Sequence, residues 1–557
     1  MGANGGLNAV VGILFICVWG SVFHVTIIDA ALAFAFFVLV PLLIGEVCHD
    51  ADVNRAEQWL QNVNVCSLPF AGAGTISLTL LPGQEAFWWA LLWFIYTLLI
   101  AIGGAMRLLG RGWKPVEEAV IDVGLMYISI GGLWLLLYQS EAALWLPYSD
   151  VIVQLTAVHF HYAAFVIPLV VGFYGRWRAE MNRDSTAMTE QPFTYLGVGI
   201  IIGPFLVALG LHQGQPVEMV AVGVYTCLVV WLCTWWIWNS VYFRGWAQWG
   251  LQLSSGLLLL TIGLAAVYGM GLMTESHWLS ISEMLRWHGA VNAFGFSFLS
   301  VLIWRNVHPI KRHVFTAFPV SQLRGSGYIG NHIIYKQKWD AQHQVRHGLV
   351  DDWGVFQSEY FSPDALHRDI RDFYMYTTRY HMTADIQWEK PFHMLHPLIA
   401  KMTTKMGQVN LPADKMAMEG DITPINDHKD GRGNVRAWLR KNKATGDPIF
   451  TALYATHHHA GETYMNIALP FPLGVMTGVL RPINQKGGNL VLSSYKRKKA
   501  NGDEGIYFTL GDWTFRLLLN ESFHVELEDE GRLTARQTMT FFGLPLVKID
   551  YHLVHKD

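Results

Sequence analysis

The first 304 residues are a succession of apolar runs with short polar breaks, and this pattern leaves few folds open. The runs fall at about 7–23, 26–46, 64–82, 85–107, 119–138, 151–175, 193–212, 216–241, 247–272 and 283–304. Each is close to the ~20 residues that an α-helix needs to cross the hydrocarbon core. A chain in lipid must satisfy its own backbone hydrogen bonds, so runs of this length are read as helices. The run at 64–82 is the weakest, because Pro69, Gly72, Gly74 and several hydroxyls interrupt it. Charged residues make up 15% of the chain, against roughly 25% in an ordinary soluble domain. Most of them follow residue 305. The expected fold class is a polytopic α-helical membrane bundle of about ten spans over 1–305. A linker and mixed α/β region is expected over 306–434, and a cytoplasmic mainly-β antiparallel sheet domain over 435–557.

Loop charge orients the bundle. With the N-terminus in the cytoplasm, the loops on that side carry Arg55, Arg111, Lys114, Arg176, Arg178, Arg183, Arg244, Lys311 and Arg312. The opposite loops at 140–150 and 274–282 carry neither Lys nor Arg. This is the positive-inside pattern, and it puts both termini in the cytoplasm. Without the run at 64–82 the N-terminus would move outside and the later orientation would stand. Trp88, Trp89, Trp145, Tyr148 and Trp278 fall near the expected interfaces, as an aromatic belt requires. The polar segment Asp50–Asn62 reads as a short amphipathic piece on the cytoplasmic surface. The N-terminus lacks the basic region and cleavage site of a signal peptide, so the first run is expected to be retained. All five cysteines lie in the membrane half and form no CxxC pair, which argues against a disulfide framework. The net charge of −3 comes with no basic stripe, so no nucleic-acid partner is expected. No internal repeat supports an inverted-repeat transporter design.

The tail changes pattern. Residues 321–354 are rich in Gly, His and polar residues and read as a long linker, and 391–406 as a short helix. Segments 450–455, 464–470, 475–480, 489–494, 505–510, 513–519, 523–528, 533–542 and 546–553 read as strands bounded by Gly, Asn and Pro. Short strands at this spacing suggest an antiparallel sandwich or a barrel-like sheet. His457-His-His459 reads as a solvated turn rather than a metal site.

Chemistry-bearing residues concentrate in the apolar run around Leu155-Thr-Ala-Val-His159-Phe-His161-Tyr162-Ala-Ala-Phe165. Ionisable groups at bilayer depth are costly and usually face a protein interior. On a straight helix His159 and His161 lie roughly 200° apart, so one metal ion cannot readily take both. They serve two sites, or one site and one packing contact. Heme-copper oxidase subunits use a similar His-Phe-His-Tyr string in this split way, but the His-Pro-Glu-Val-Tyr string of such oxidases is absent. The alternative is a pair of histidines bonded to neighbouring helices. In the last run His288, Asn292 and Gly295 fall on one face. His159 with Tyr162 is expected to share an outer-half pocket with His288 and Asn292. His24, Asp29, His212, Glu275 and His277 lie near the same side, and Arg286 is there against the charge rule, with Glu283 or Asp150 as a partner. Near the cytoplasmic ends lie Glu46, His49, Glu117, Glu118 and, deepest, Asp122. Asp122 is part of a proton or cation path, or a snorkelling or helix-N-terminal carboxylate. Any metal ligands would come from His159, His161 and His288. No cofactor is assigned, and heme or a transition metal stays open. Gly103-Gly104 and Gly131-Gly132 read as helix-packing glycines. No nucleophile elbow, P-loop or GxGxxG context occurs, so an enzyme is not expected.

Three strings carry a resemblance: Leu155 to Phe165, His288-Gly-Ala-Val-Asn-Ala-Phe-Gly-Phe296, and Tyr464-Met-Asn-Ile-Ala-Leu-Pro-Phe-Pro-Leu-Gly-Val-Met-Thr-Gly-Val-Leu480. They resemble the YndJ-like membrane proteins of bacilli and their relatives. The resemblance implies an integral protein of a bacterial cytoplasmic (inner) membrane, with a transporter-like label and no catalytic residue to carry over. Three readings follow. One is a transporter-like or receptor-like bundle that takes a small molecule or ion into a histidine-lined outer cavity. Another is a heme- or metal-binding redox protein. The last is an envelope or lipid-handling protein, for which no nucleophile–base pair is visible. The lipid bilayer is a partner in all three.

Overall fold

The computed structural model describes residues 3–49, 54–140, 146–181, 191–276, 278–311, 318–325, 327–341, 344–497, 502–511 and 513–556. Trp145, Arg183, His277 and Arg312 lie outside these residues. The chain forms two compact units, Met1–Val314 and Phe315–Asp557.

The first unit is helical. Its elements are α1 (Ala3–Val22), α2 (Ile27–Val47), α3 (Arg55–Val65), α4 (Ser67–Thr79), α5 (Gln84–Arg111), α6 (Val116–Gln139), α7 (Asp150–Met181), α8 (Gln191–Gln213), α9 (Val217–Tyr242), α10 (Trp246–Met273) and α11 (Ile281–Val307). Among the described residues, eight of them, α2 and α5 to α11, are long and apolar enough to cross a membrane. The sequence reading counts about ten, and the difference lies in the first and third runs. α1 runs over 20 residues, and its described side chains, Gly6–Val22, form an apolar helix of the shorter class. The third run folds as α4, whose 13 residues reach about 20 Å, short of the ~30 Å hydrocarbon core. Of the segment expected on the surface at 50–62, residues 55–62 lie in α3, which keeps Arg55, Gln58 and Asn62 exposed and packs its other face inside. Leu60 there is buried, and so is Glu57. Asn54 caps α3 in a reciprocal box with Glu57.

Glycines let α5 and α6 approach closely. A Cβ on Gly132 would lie 2.3 Å from Thr97 Oγ1, and one on Gly104 2.7 Å from the Asp122 carbonyl. Three helices loosen into π turns: α2 over Ala35–Leu39, α7 over Tyr162–Val166, and α11 over Met284–Gly289 and Val291–Ser297. Such turns are rare and recur at functional sites.

The second unit is a closed barrel rather than an open sheet or sandwich. Its strands are β1 (Tyr380–Trp388), β2 (Lys415–Pro424), β3 (Arg436–Asn442), β4 (Pro448–His459), β5 (Glu462–Pro470), β6 (Gly474–Asn484), β7 (Leu490–Ser493), β8 (Gly505–Leu510), β9 (Trp513–Arg516), β10 (Leu519–Asp529), β11 (Arg532–Phe541) and β12 (Leu544–His555). Ten form an antiparallel ring in the order β5-β4-β3-β2-β1-β12-β11-β10-β7-β6, closed by β5 against β6. The β8–β9 hairpin adds onto β6. Closure leaves the ring no open edge to guard. All nine strands expected after residue 450 are present, as β4 to β12. β1 and β2 come from the stretch read as linker and mixed α/β.

Alternation sorts the side chains. Trp438 and Arg440 of β3 point inward with Phe450 and Tyr454 of β4, while Leu439 and Leu453 face out. The outer apolar face of β3 to β5 is covered by Leu323, Ile329, Ile333 and Trp339, which lie in or beside the expected linker. α12 (Arg368–Met375) and Trp353 add to the inner core.

Candidate functional site

The two histidines of α7 divide as the helix geometry requires. His161 is fully buried. The indole N–H of Trp93 on α5 donates to its Nε2 at 3.1 Å, and its Nδ1 lies 2.8 Å from the Ala157 carbonyl. Indole is only a donor and carbonyl only an acceptor, so Nδ1 carries the proton and the ring is neutral with both nitrogens occupied. Gly131 makes room for it, since a Cβ there would come within 2.7 Å of Nδ1. Such a histidine has no lone pair left for a metal or ligand.

His159 faces another way and is exposed. Its Nδ1–H meets the Leu155 carbonyl at 2.7 Å. His288 on α11 has its Nδ1 2.8 Å from the Thr261 carbonyl of α10. The two imidazoles are close enough to interact electrostatically. The Thr261 hydroxyl donates to Asn292 Oδ1 at 2.7 Å, so one buried threonine seats both His288 and Asn292. Each imidazole thus commits Nδ1–H to a backbone carbonyl and keeps Nε2 as an acceptor. Neither Nε2 has a hydrogen-bond partner among the described residues. A ligating imidazole is usually anchored in this way.

The other expected members of the pocket lie elsewhere. The Tyr162 hydroxyl donates to the Ala31 carbonyl of α2 at 2.7 Å and is buried. His24 is exposed before α2, and Arg286 is exposed on α11. Glu283, its expected partner, caps its own helix by accepting from the Ser280 N–H at 2.8 Å. His212 sits 2.8 Å from the Tyr148 hydroxyl.

A second constellation surrounds Asp122, and it is larger than the sequence suggests. Asp122 is fully buried and does not snorkel. It accepts from Arg107 Nε and from Arg111 Nη2, each at 2.6 Å. Arg107 also reaches Glu118 at 2.6 Å and pairs with Glu57. Arg176 of α7 grips Glu118 with two bonds of 2.6 and 2.8 Å, and Lys311 Nζ lies 2.8 Å from Glu57. Three carboxylates and four cations are therefore buried together. Sequence reading counts Arg111, Arg176 and Lys311 as loop charges and leaves Glu57 on the surface. The available signal is the spacing Arg107/Arg111 and Glu118/Asp122, i and i+4 on two consecutive helices. The basic pair ends α5 and the acidic pair begins α6, as the helix dipoles favour.

Beside this network, one ligand atom each from Glu46, His49 and His308 lies within 4.8 Å of the others. The two rings stack at 4.0 Å, and His308 Nδ1 is 3.0 Å from Glu46. Burial, with Arg305 nearby, holds His308 below the usual imidazole range.

In the barrel, His457 is part of β4 and not of a solvated turn. It is buried, with Asp503 at 3.0 Å on one nitrogen and Asn466 at 2.9 Å on the other.

The model of the family described as YndJ-like protein matches residues 30–296. A protein of Bacillus subtilis (strain 168), named as uncharacterized membrane protein YndJ, is 31% identical over 536 residues. That alignment covers 95% of this chain and 94% of the relative. No solved structure matches. With eight apolar helices long enough to span a bilayer and likeness to this relative along nearly its whole length, the chain belongs to the YndJ-like family of membrane proteins.

Proposed function

We propose that the helical unit is a transporter-like bundle of a bacterial cytoplasmic membrane. It admits a small molecule or ion, bearing hydrogen-bond donors or positive charge, to a pocket of His159, His288 and Asn292. The observation that carries this reading is the pair of anchored imidazoles whose Nε2 atoms stay open. Acceptors without donors of their own attract a proton, a cation or a donor group. The π turns of α7 and α11 adjoin these residues. The loop charges support cytoplasmic termini, and the network of Glu57, Arg107, Glu118 and Asp122 then closes the inner end.

Proteoliposomes loaded with a pH dye or a zinc dye test this reading. Proton or Zn²⁺ uptake is expected to fall at least tenfold in His159→Ala and His288→Ala and to persist in His24→Ala. Uptake of both probes that is equal in all three would remove the pocket from the account.

A second reading, a metal- or heme-binding membrane protein, is favoured by the convergence of Glu46, His49 and His308 and by the two open Nε2 atoms. Metal analysis and an absorption spectrum decide it. Purified protein with neither bound transition metal nor Soret absorption would rule it out.

A further inference from the structure

The barrel lumen contains a charge that its own residues do not neutralise. Arg440 of β3 is more than nine-tenths buried. Its guanidinium lies between the rings of Trp438 and Phe450, 4.3 and 4.2 Å from their centroids. No carboxylate comes within 4 Å of it among the described residues, and its buried Nε has no hydrogen-bond partner. The hydroxyls of Tyr551 and Tyr454 are among its polar neighbours. Buried charges in proteins are otherwise paired or ligated.

The lumen's own acid is engaged elsewhere. Glu521 of β10 accepts from Gln537 at 3.0 Å, and Gln537 in turn accepts from the Tyr551 hydroxyl at 3.0 Å. Burial pushes the Glu521 carboxyl up to about 7, with Gln537 and then Arg440 opposing. Gly478 gives Glu521 its place, since a Cβ there would lie 2.6 Å from Oε1. So Glu521 makes no ion pair with Arg440.

Around Arg440 the barrel leaves a narrow, partly open slot. Its walls are apolar, with Met382, Met465, Leu492, Phe523 and Val525 among them. Rings on both faces of the guanidinium leave only its edge for hydrogen bonds. That edge is a planar fork that fits a carboxylate or a phosphate with two parallel bonds.

We propose that the barrel binds a single-chain amphiphile, its anionic head on Arg440 and Tyr551 and its alkyl chain along the apolar lumen. The head chemistry is shared by a fatty acid and a lysophosphatidate. This site is independent of the pocket between the helices.

The test uses the full chain in lipid nanodiscs, with empty discs as the blank. The probes are a fatty acid with a fluorescent conjugated tetraene in its chain, a lysophosphatidate of equal chain length as its competitor, and the matching tetraene alcohol. The readout is energy transfer from Trp438, isolated by the Trp438→Phe variant. Saturable transfer is expected with the acid, and displacement by whichever anionic head fits better. The alcohol should bind at least tenfold more weakly. Arg440→Met should cost at least tenfold in acid affinity and leave the alcohol unchanged. Arg440→Lys keeps the charge and loses the fork, should fall between, and serves if the methionine variant does not fold. The proposal is overturned if no anionic probe binds above empty discs, or if acid and alcohol bind alike. It is equally overturned if acid affinity is unchanged in whichever Arg440 variant folds.

Discussion

Replacing Trp93 by Phe takes from His161 the one donor aimed at its Nε2 and leaves the shape of the site intact. An unsatisfied buried acceptor costs about 1–3 kcal/mol, so Trp93→Phe should melt measurably lower in detergent. His159→Ala, at an exposed ring, should change stability by less than about 1 kcal/mol. In the barrel, Glu521 gives the pH dependence its sign. Its carboxyl sits at about 7 in the folded barrel, above the usual carboxylate value. The folded state therefore holds the proton more tightly than the unfolded state, and the stability gained is complete at acid pH. Between about 4.5 and 7 that stability is lost as pH rises, on the order of 3 kcal/mol in all. Denaturant melts of the barrel at pH 5 and pH 8 should show this slope, and Glu521→Gln should flatten it. At this scale the sequence showed that His159 and His161 part company, because a two-residue step on a helix decides it. It also assigned the pocket to His159, but what closes His161 off and what anchors the open rings was not legible. Their fates depend on Trp93 and Thr261, which local spacing cannot place beside them.

The α5–α6 hairpin is the element on which the helical unit turns. Its basic end and acidic start meet across a short turn and draw in Glu57, Arg176 and Lys311 from three other segments. Removing one member of a buried ion network typically costs about 3–5 kcal/mol, since the partners stay buried and charged. Glu118→Gln should therefore lower folded yield and melting temperature sharply. Yield and stability equal to the native chain would mean that water already reaches the network. The spacing of the four hairpin charges was visible in sequence, but the eye reads arginines beside a membrane as loop charges. The strands show the same bias. β4 to β12 announce themselves by alternation between turn residues. β3, Arg436-Ala-Trp-Leu-Arg-Lys-Asn442, hides because two of its inward positions are arginines, held by Asp351 and by aromatic rings. β1 alternates cleanly through Met382, Ala384 and Ile386, yet lies in a stretch whose surroundings read as linker.

For the whole molecule, the division into a helical unit and a β unit follows from where the apolar runs stop. The closing of the β unit into a ring does not, because the pairing of β1 with β12 joins residues as far apart as Tyr380 and His555. The span count is likewise a property of the folded chain. α4 begins at a break at Cys66 and carries Pro69 in its first turn, and the length of an apolar run alone does not register that break. Orientation can be checked directly. In a chain whose five cysteines are replaced, a cysteine at Ser280 should react with an impermeant maleimide in intact cells, and one at Lys486 only after lysis. The reverse result would invert the proposed topology. The central claim is that the open imidazoles belong to His159 and His288 and not to His161. Nitrogen NMR of the histidine rings tests it most directly, with the full chain in nanodiscs, signals assigned by His159→Ala and His288→Ala, and Zn²⁺ as titrant. The Nε2 signals of His159 and His288 should shift together while His161 holds still. A shift at His161, or none at His159 and His288, would contradict the account.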